Sequence, residues 1–394
     1  MTAAFPNPLR RFILLYALMY AAFGVASPFW PAFFEGRGLS PQQLGILLAL
    51  GTAVRLLSGP AAGRLADRLQ ALRAVLAGCV ALAALIALGL LPAHGFWLLL
   101  FVSVALAAAL APITTLADAL ALRAAAGERT RKGFEYGWVR GTGSGAFIAG
   151  TLISGQVVAA LGLASIVPLQ AGLLAGAALA ALLLPALTAP QGHAVTRETS
   201  PPGIGALLRI RLFRRLMLVA ALVLGSHAMH DGFAVIRWSA GGIGPATASV
   251  LWSEAVAAEV LVFFIVGPAL VSRLGPAGTA ALAAFAGLVR WVVMALTTDV
   301  IALALVQPLH GLTFAALHLS CMRLIVGIVP PQLAATAQAI YALGAGATTA
   351  TLTLLSGWFY AGFGAHGFFA MALLCAAALP ATRGLRMPAA GGAR

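Results

Sequence analysis

Twelve apolar stretches, each long enough to cross a lipid bilayer as a helix, dominate this sequence. A spanning helix needs about 20 consecutive apolar residues, and no alternating pattern runs long enough to suggest a membrane β-barrel. Hydrophobic residues make up 61% of the 394 residues and charged residues only 9%, against roughly 25% charged residues in soluble domains. We therefore predict an all-α membrane protein with twelve transmembrane helices, over residues 12–34, 43–65, 73–92, 95–122, 134–160, 164–187, 212–237, 246–270, 277–297, 300–326, 333–357 and 364–382.

One polar interruption, between residues 188 and 211, divides the twelve stretches into two sets of six. It contains three prolines and has the composition of a cytoplasmic linker. The predicted organisation is therefore two six-helix bundles joined by that linker, over 1–188, 189–211 and 212–394.

The positive charge of the chain is unevenly distributed between its loops. The chain has 24 lysines and arginines against 10 acidic residues, and a net charge of +14. With the N-terminus in the cytoplasm, 19 of the 24 fall on the cytoplasmic side, and only Arg37 and Arg237 fall outside. Positive residues favour the cytoplasmic side, so we predict an integral protein of a bacterial-type inner membrane with both termini cytoplasmic. The same distribution explains the basic charge without a nucleic-acid partner.

A charged motif lies between the second and third apolar stretches. It reads Gly63-Arg-Leu-Ala-Asp67-Arg68, with Arg73 five residues further on. This pattern resembles the loop signature of the major facilitator superfamily, and with twelve spans and a central linker the resemblance covers the whole chain. It implies the major facilitator fold of two six-helix bundles. We expect Gly63 to allow close approach of a neighbouring helix, and Asp67 to accept hydrogen bonds from a helix N-terminus.

The fifth apolar stretch opens with the run F-E-Y-G-W-V-R at 134–140. This run resembles a segment of lactose permease-type proton symporters whose arginine pairs with an acid on the fourth helix and contacts substrate. The corresponding residues are Arg140 and Asp118. Each lies about six residues from the inner end of its helix, so both sit roughly 9 Å deep, which independently favours an ion pair. Small residues recur every four positions in the same stretch and predict a helix-packing seam, at Gly137, Gly141, Gly145 and Ala149.

Charged residues also occur within the spans of the second half. Arg290 and His310 resemble the arginine and histidine of the proton site in lactose permease-type symporters. A carboxylate on the eighth helix completes that site, for which Glu259 and Glu254 are the candidates. Glu259 lies about 13 residues into its helix, so roughly 20 Å along it and near the bilayer centre, where a charged carboxylate is disfavoured.

The sequence departs from that resemblance three residues after the histidine, where Thr313 stands in place of an acid. Proton coupling can therefore use an acid elsewhere, and Asp231 stays open as another carrier. Intramembrane charges are expensive and usually functional. On that ground Arg55, near the middle of the second stretch, joins the candidate residues.

Both halves resemble the phenylpropionic acid permease family of the same superfamily. The matching segments are Pro28-Phe29-Trp30, Thr115-Leu-Ala-Asp118, Trp252 through Glu259-Val260, Gly287-Leu-Val-Arg290-Trp291, Leu309-His310, and His318 with Arg323. This resemblance implies uptake of a small aromatic carboxylate, such as 3-phenylpropionate, by proton symport. The predicted substrate site holds two arginines that can bind a carboxylate bidentately, together with an acid and two aromatic residues: Arg55, Arg140, Asp118, Trp138 and Trp252.

Twelve spans with titratable groups and no large soluble part indicate a secondary transporter rather than an enzyme. No Walker A motif is present to use ATP, and neither H-E-x-x-H nor G-x-S-x-G occurs. Three cysteines provide neither a disulfide framework nor metal spacing, so we expect no cofactor and no metal. The expected partners are a small-molecule substrate, a proton and membrane lipid, and we expect a monomer. The alternatives are a sugar or nucleoside proton symporter, a drug exporter and, from a different class, a transport-dead membrane receptor.

Overall fold

The computed structural model describes residues 8–126, 133–185 and 204–385. Throughout these ranges every regular element is a helix, as the all-α prediction requires. Nine segments of the described chain are long and apolar enough to cross a membrane. Two of them, Pro245–Leu296 and Pro331–Leu385, contain 52 and 55 residues, more than twice the roughly 20 that one crossing needs.

The part of the chain before residue 186 contains eight α-helices. A 3-10 turn, Leu163–Ser165, leads into the last of them. The helices are α1 (Pro8–Ala26), α2 (Trp30–Gly36), α3 (Pro41–Leu69), α4 (Leu72–Leu88), α5 (Phe96–Leu110), α6 (Ile113–Ala126), α7 (Tyr136–Leu161) and α8 (Ile166–Leu182).

The part from residue 204 onward contains nine α-helices. They are α9 (Ile204–Arg209), α10 (Arg211–Gly225), α11 (Ala228–Ala240), α12 (Pro245–Leu261), α13 (Gly267–Leu296), α14 (Val300–Val306), α15 (Leu317–Ile328), α16 (Ala334–Phe363) and α17 (Phe368–Thr382). Two π-helical turns interrupt this part: the first π turn, Val262–Val266, follows α12, and the second π turn, Leu312–Ala316, precedes α15. Short 3-10 turns occupy Gln307–Leu309, Pro331–Leu333, Gly364–Gly367 and Arg383–Leu385.

Glycines with left-handed backbone conformations break the two longest apolar segments. Gly275 has a φ of 65° inside α13, and Gly364 has a φ of 54° at the end of α16. Residues with a side chain rarely adopt such a φ, and Pro276 cannot donate the hydrogen bond that would continue a helix. The breaks fall between apolar stretches that the sequence separates, namely 246–270 from 277–297 and 333–357 from 364–382.

The start of α3 is fixed by a reciprocal cap. The Ser40 hydroxyl accepts a hydrogen bond from the Gln43 amide at 3.3 Å, and the Gln43 side chain accepts one from the Ser40 amide at 3.0 Å. Pro41 occupies the first helical position, where no intrahelical donor is needed. These local signals set the register of the helix that carries Arg55.

Glycines bring α1 and α7 into contact, but they are not the ones that the four-residue spacing indicates. A Cβ at Gly24 would collide with the Phe147 carbonyl oxygen, and one at Gly150 with the Ala21 carbonyl oxygen. The predicted seam is wrong, because a Cβ at any of its glycines would meet no atom within 4 Å. Spacing alone selects a helix face without identifying the neighbour, and α1 packs on another face of α7. The glycines of the predicted seam are Gly137, Gly141 and Gly145.

The charged motif after Gly63 forms the last turns of α3 rather than a loop. A Cβ at Gly63 would meet no atom within 4 Å, so the expected close approach there is wrong for this structure. Asp67 and Arg68 are exposed, and no residue in the described ranges donates a hydrogen bond to the Asp67 carboxylate. Since α3 continues to Leu69, the motif side chains project from an exposed helix end. The role predicted for Asp67 is therefore not observed either.

The two arginines that the topology places outside are both used to cap backbone carbonyls. Arg37 donates hydrogen bonds of 2.7 and 3.0 Å to carbonyl oxygens within 91–93, just after α4. Arg237 donates two of 3.2 Å to carbonyl oxygens within 295–297, at the end of α13. The terminal carbonyls of a helix lack intrahelical partners and favour a cation. Both exceptions to the charge distribution thus have the same structural explanation.

The described residues form two compact units. We call N-terminal unit the residues before 186 with Gly244–Val250, and C-terminal unit the residues 204–243 with 251–385. Of the predicted linker 189–211, only residues 204–211 belong to the described ranges, where they form α9 and the start of α10. Six residues counted on the cytoplasmic side lie outside those ranges: Arg129, Arg131, Lys132, Arg197, Arg386 and Arg394.

Candidate functional site

Two tyrosine hydroxyls hold Asp118 in the N-terminal unit. Tyr16 of α1 and Tyr136 of α7 both donate to the Asp118 Oδ1 atom on α6, the second over 2.8 Å. Tyr16 is fully buried, and a buried phenol needs a hydrogen-bond partner within the protein. The Asp118 carboxylate therefore has two neutral donors, and no cation among the described residues forms an ion pair with it.

The predicted ion pair between Asp118 and Arg140 is wrong for this structure. Within the described part of the chain, no carboxylate lies within 4.0 Å of the Arg140 guanidinium. The guanidinium lies instead over the Tyr20 ring, 5.1 Å from its centroid, and donates to the Ser144 hydroxyl at 3.5 Å. Equal depth on two helices permits a pair but does not select it, because the tyrosine hydroxyls already occupy the carboxylate.

An aromatic link connects the arginine to the acid. The Tyr20 ring, under Arg140, stacks on the Tyr16 ring with centroids 5.7 Å apart, and Tyr16 donates to Asp118. Gly143 leaves room for this arrangement, since a Cβ there would lie 3.0 Å from the Tyr20 ring. The N-terminal unit thus contains a cation, two stacked rings and a carboxylate in series.

The remaining predicted substrate residues have other surroundings. Arg55 is exposed on α3, and it forms no hydrogen bond or ion pair with any residue of the described ranges. Trp138 is 69% exposed on α7. Trp252 is buried in the C-terminal unit, where its ring stacks on His230 with centroids 5.0 Å apart. The structure therefore places Trp252 against the residue that directly precedes Asp231, a predicted proton-coupling residue.

Arg290 of α13 is the centre of a polar cluster in the C-terminal unit. The residue is fully buried, and its guanidinium lies 4.6 Å from the Trp291 ring centroid. One terminal nitrogen lies 3.1 Å from His310 Nδ1, and the other lies 3.3 Å from His230 Nε2 and 2.8 Å from Gln307 Oε1. The predicted proximity of Arg290 and His310 is confirmed, and two further partners are added to it.

The protonation pattern of the two histidines follows from Arg290. A guanidinium only donates, so His310 Nδ1 and His230 Nε2 must both accept and carry no proton. The opposite ring nitrogens then carry the protons and donate to carboxylates. His310 Nε2 lies 3.3 Å from Glu259 Oε2, and His230 Nδ1 lies 3.3 Å from Asp231 Oδ1. The result is a continuous chain: Glu259, His310, Arg290, His230 and Asp231.

Exposure increases from the middle of this chain to both of its ends. Arg290 is inaccessible, whereas the side chains of Glu259 and Asp231 are 30% and 58% exposed. A buried cation is costly unless it is hydrogen-bonded and compensated by an anion. The guanidinium of Arg290 does not contact either carboxylate directly. Each neutral histidine connects the guanidinium to one carboxylate by hydrogen bonds.

Thr313, the position where an acid was expected, contacts a third histidine. Its hydroxyl oxygen lies 2.9 Å from His227 Nε2 and 3.1 Å from the His310 carbonyl oxygen. The His227 and His310 rings also pack edge to face, with centroids 5.2 Å apart. Thr313 therefore positions the two rings, and the acids of the cluster come from other helices, through Glu259 and Asp231.

Glu254, the competing candidate, is half-buried on α12 one and a half turns before Glu259. Among the described residues, none forms a hydrogen bond or ion pair with it. Of the two glutamates, only Glu259 has a side chain in contact with His310. The geometry therefore favours Glu259 as the partner of the arginine and histidine.

Sequence reasoning did not identify several residues that complete these clusters. Tyr16, Tyr20 and Gln307 are single polar side chains within apolar stretches, and that is the signal that could have indicated them. His230 directly precedes Asp231, and this adjacent pair of titratable residues is a stronger signal. The histidine is the member that reaches Arg290.

Comparison with known proteins identifies the family. The family model described as "MFS_1 like family" matches residues 9–371. The probable 3-phenylpropionic acid transporter of Escherichia coli (strain K12) is 32% identical over 380 residues, which cover 94% of this chain and 96% of that protein. The chain therefore has a full-length relative whose name matches the family that its motifs resemble.

Solved structures show the same fold. A crystal structure of a variant of the nucleoside transporter NupG has a TM-score of 0.85 at 15% identity, covering 97% of this chain and all of that one. A bacterial homolog of the human lysosomal transporter Spinster, in an inward-facing and unoccupied conformation, has a TM-score of 0.66 at 16% identity, covering 97% and 98%. At such identities the likeness concerns the fold alone. With the family match and the full-length relative, it shows that this integral membrane protein belongs to the MFS_1 like family of major facilitator superfamily transporters.

Proposed function

We propose that this chain imports a small aromatic carboxylate, such as 3-phenylpropionate, together with a proton by alternating access. The observation that carries the proposal is the buried Arg290, which two neutral histidines join to two partly exposed carboxylates. The substrate class is supported by the full-length relative named as a probable 3-phenylpropionic acid transporter. Coupling is supported by the chemistry of the cluster, because imidazoles and carboxyl groups are the side chains that most often take up and release protons in proteins.

The charge balance of the cluster provides the coupling. With Glu259 and Asp231 ionised and both histidines neutral, the cluster holds one more negative than positive charge. One proton on Glu259 removes that excess, and a neutral cluster is less costly to move through a low-dielectric environment than a charged one. Protonation of Glu259 thus allows the carrier to change conformation. Because the Glu259 side chain is partly exposed, the proton can reach it.

The substrate anion binds in the N-terminal unit. A guanidinium has five N–H donors, and in the described structure Arg140 uses one of them on Ser144. The others can bind a carboxylate bidentately, while Tyr20 and Tyr16 provide an aromatic surface for the substrate ring. An exposed guanidinium at mid-span would be costly against lipid. Arg55 therefore belongs to a surface that meets water or substrate.

The topology completes the proposal. Twelve spans follow when the two longest apolar segments each cross twice, with breaks at Gly275 and Gly364, and when α4 crosses as well. The distribution of arginines and lysines places both termini in the cytoplasm of a bacterial-type inner membrane. The proposed unit of function is a monomer that works by alternating access.

Transport into liposomes tests the function. The full chain is reconstituted, and uptake of labelled 3-phenylpropionate is followed under an acid-outside pH gradient. We expect accumulation that a protonophore abolishes and that excess unlabelled aromatic carboxylate inhibits, whereas uridine and lactose do not. Uptake that does not depend on the pH gradient would contradict the proposed proton coupling. Uptake of the nucleoside or the sugar instead would overturn the substrate class.

A pair of arginine variants tests the site. Arg140→Gln removes a charge-assisted contact, so the KM for 3-phenylpropionate should rise about tenfold or more. Arg123→Gln is the matched control, since Arg123 is exposed at the end of α6, and its KM should stay that of the unmodified chain. Equal KM values for both variants would remove Arg140 from the substrate site.

A further inference from the structure

A second histidine, His318, lies on the helix face that carries His310. Eight residues of regular α-helix turn through about 800°, which leaves such residues about 80° apart. The second π turn, Leu312–Ala316, lies between the two histidines. A π turn closes i to i+5 hydrogen bonds and so accommodates about one extra residue, which removes most of that offset. The irregular turn therefore aligns the two imidazoles two turns apart on one face.

The two histidines contact successive parts of the chain that runs from α12 into the first π turn. Glu259 lies on α12, and Phe263, four residues later, lies in the first π turn. His310 Nε2 is 3.3 Å from the Glu259 carboxylate, and the His318 ring stacks on the Phe263 ring with centroids 6.0 Å apart. Glu259 also interacts electrostatically with His318. The carboxylate thus has one imidazole on the side of Arg290 and a second imidazole further along the helix.

The far side of His318 meets α16. Tyr341 Oη lies 3.5 Å from His318 Nδ1, with ring centroids 5.9 Å apart, and the Tyr341 hydroxyl also interacts with the Cys321 thiol. The titratable groups that face His318 in the described structure are Glu259 of α12, Tyr341 of α16 and Cys321 of its own helix. Neither α10 nor α13, which also pack on α15, brings a titratable side chain into hydrogen-bond contact with the His318 ring.

We propose that His318 is a second proton-binding site, which takes the proton from Glu259 on its way out of the carrier. This inference rests on the proposed proton coupling. The proton leaves the Glu259 carboxyl group and binds the unprotonated ring nitrogen of His318 by way of intervening water. The products are a carboxylate and an imidazolium. The imidazolium then gives the proton to water and returns to neutral imidazole.

The position of His318 gives the transfer a direction. His318 lies in the first turn of α15, eight residues beyond His310 in the chain and closer to Arg323, which the proposed topology places at the cytoplasmic end. Tyr341 lies near the start of α16, which is cytoplasmic in the same topology. The Arg290 side of Glu259 is therefore where the proton is held with substrate bound, and the His318 side is the path by which it leaves.

A pH-jump experiment tests this assignment without depending on the substrate. The full chain in lipid nanodiscs is shifted from acid to neutral pH, and loss of the infrared band of the protonated Glu259 carboxyl group is followed. Glu259→Gln identifies that band. In His318→Gln the band should disappear about tenfold more slowly, since a positioned acid-base group accelerates proton transfer by at least that factor. Adding imidazole to the buffer should restore the rate.

The control is His366→Gln. His366 is an exposed histidine of the same unit, in the turn Gly364–Gly367, and its variant should match the unmodified chain. The proposal is overturned if His318→Gln deprotonates at the unmodified rate, if imidazole does not restore a slow rate, or if no Glu259 band exists. Failure of the proposed function has a different signature, namely liposomes that do not accumulate 3-phenylpropionate while the band kinetics still depend on His318.

Discussion

The two units each contain acid and arginine within their helices, but they connect them through different chemistry. In the N-terminal unit, tyrosine hydroxyls hold Asp118, and Arg140 lies on an aromatic ring. In the C-terminal unit, histidines join Arg290 to Glu259 and Asp231. A tyrosine side chain does not titrate near neutral pH, whereas a histidine does. On the proposed function, this difference corresponds to anchoring of an anion in the first unit and movement of a proton in the second.

The two halves share one structural feature, an arginine that caps backbone carbonyl oxygens, and this makes the difference between their polar clusters easier to interpret. Arg37 and Arg237 occupy corresponding places in the two halves of the sequence, and each caps carbonyl oxygens two loops further along its own half. In both halves, therefore, an arginine side chain caps carbonyl oxygens at or just after the end of a helix. The clusters inside them differ in their side chains, and the second half also contains two π turns, one of which holds Thr313 beside His310.

The largest expected effect comes from removing the centre of the C-terminal cluster. Arg290→Gln removes the charged donor of His310, His230 and Gln307, and losing a hydrogen bond to a charged group costs roughly 1.5–3 kcal/mol. We expect proton-driven accumulation to fall at least about 100-fold and the thermal unfolding temperature to drop. Liposome uptake and unfolding of the purified protein measure the two effects.

Arg237→Gln is the matched control for that variant, because it removes an arginine of the same unit that binds only carbonyl oxygens. It should keep accumulation close to that of the unmodified chain. If Arg290→Gln also accumulates substrate normally, the histidine and carboxylate chain has no part in coupling and the comparison between the units fails.

The next effect separates coupling from binding. Glu259→Gln mimics a permanently protonated acid, so it should abolish accumulation while keeping exchange of labelled for unlabelled 3-phenylpropionate, since exchange requires no deprotonation. Glu254→Gln, five residues earlier on the same helix, should accumulate substrate within about twofold of the unmodified chain, because no described residue pairs with it. Counterflow and net uptake from the same liposomes measure both quantities. Full accumulation by Glu259→Gln would move the proton to Asp231.

A smaller effect is expected in the N-terminal unit. Tyr16→Phe keeps the aromatic stack and removes one of the two donors to Asp118, which should cost about 1–3 kcal/mol of stability. Because no histidine is involved, the variant should scale the uptake rate by one factor at every pH, whereas Glu259→Gln should change the shape of the pH profile. A changed pH profile of uptake in Tyr16→Phe would mean that Asp118 exchanges protons. This result would contradict the proposal that only the C-terminal unit carries the proton.

Fold class and part of the site could be predicted from the sequence because they depend on local signals. Apolar length predicts spanning helices, and motif resemblance with helix depth identified Glu259, Arg290 and His310. The contact of Tyr16 with Asp118 joins residues 102 positions apart, which no spacing indicates. The His230 branch and the alignment of His318 depend on side-chain direction. The alignment of His318 with His310 comes from the second π turn, which shifts the helical register by about one residue. A pattern based on 3.6 residues per turn does not predict such a shift.

The smallest expected effect concerns the arginine caps that the two halves have in common. Arg37→Gln and Arg237→Gln each remove charge-assisted hydrogen bonds to carbonyl oxygens at a helix end, where a cation contributes about 0.3–1 kcal/mol at exposed sites. We expect a small and similar loss of thermal stability in both variants, with no change in the pH profile of uptake. The double variant should show the sum of the two losses, because sites without shared partners behave additively. A large loss of thermal stability in only one of the two variants would show that the two arginine caps are not equivalent. The contrast between tyrosine and histidine clusters would then reflect different frameworks rather than different side chains on one framework.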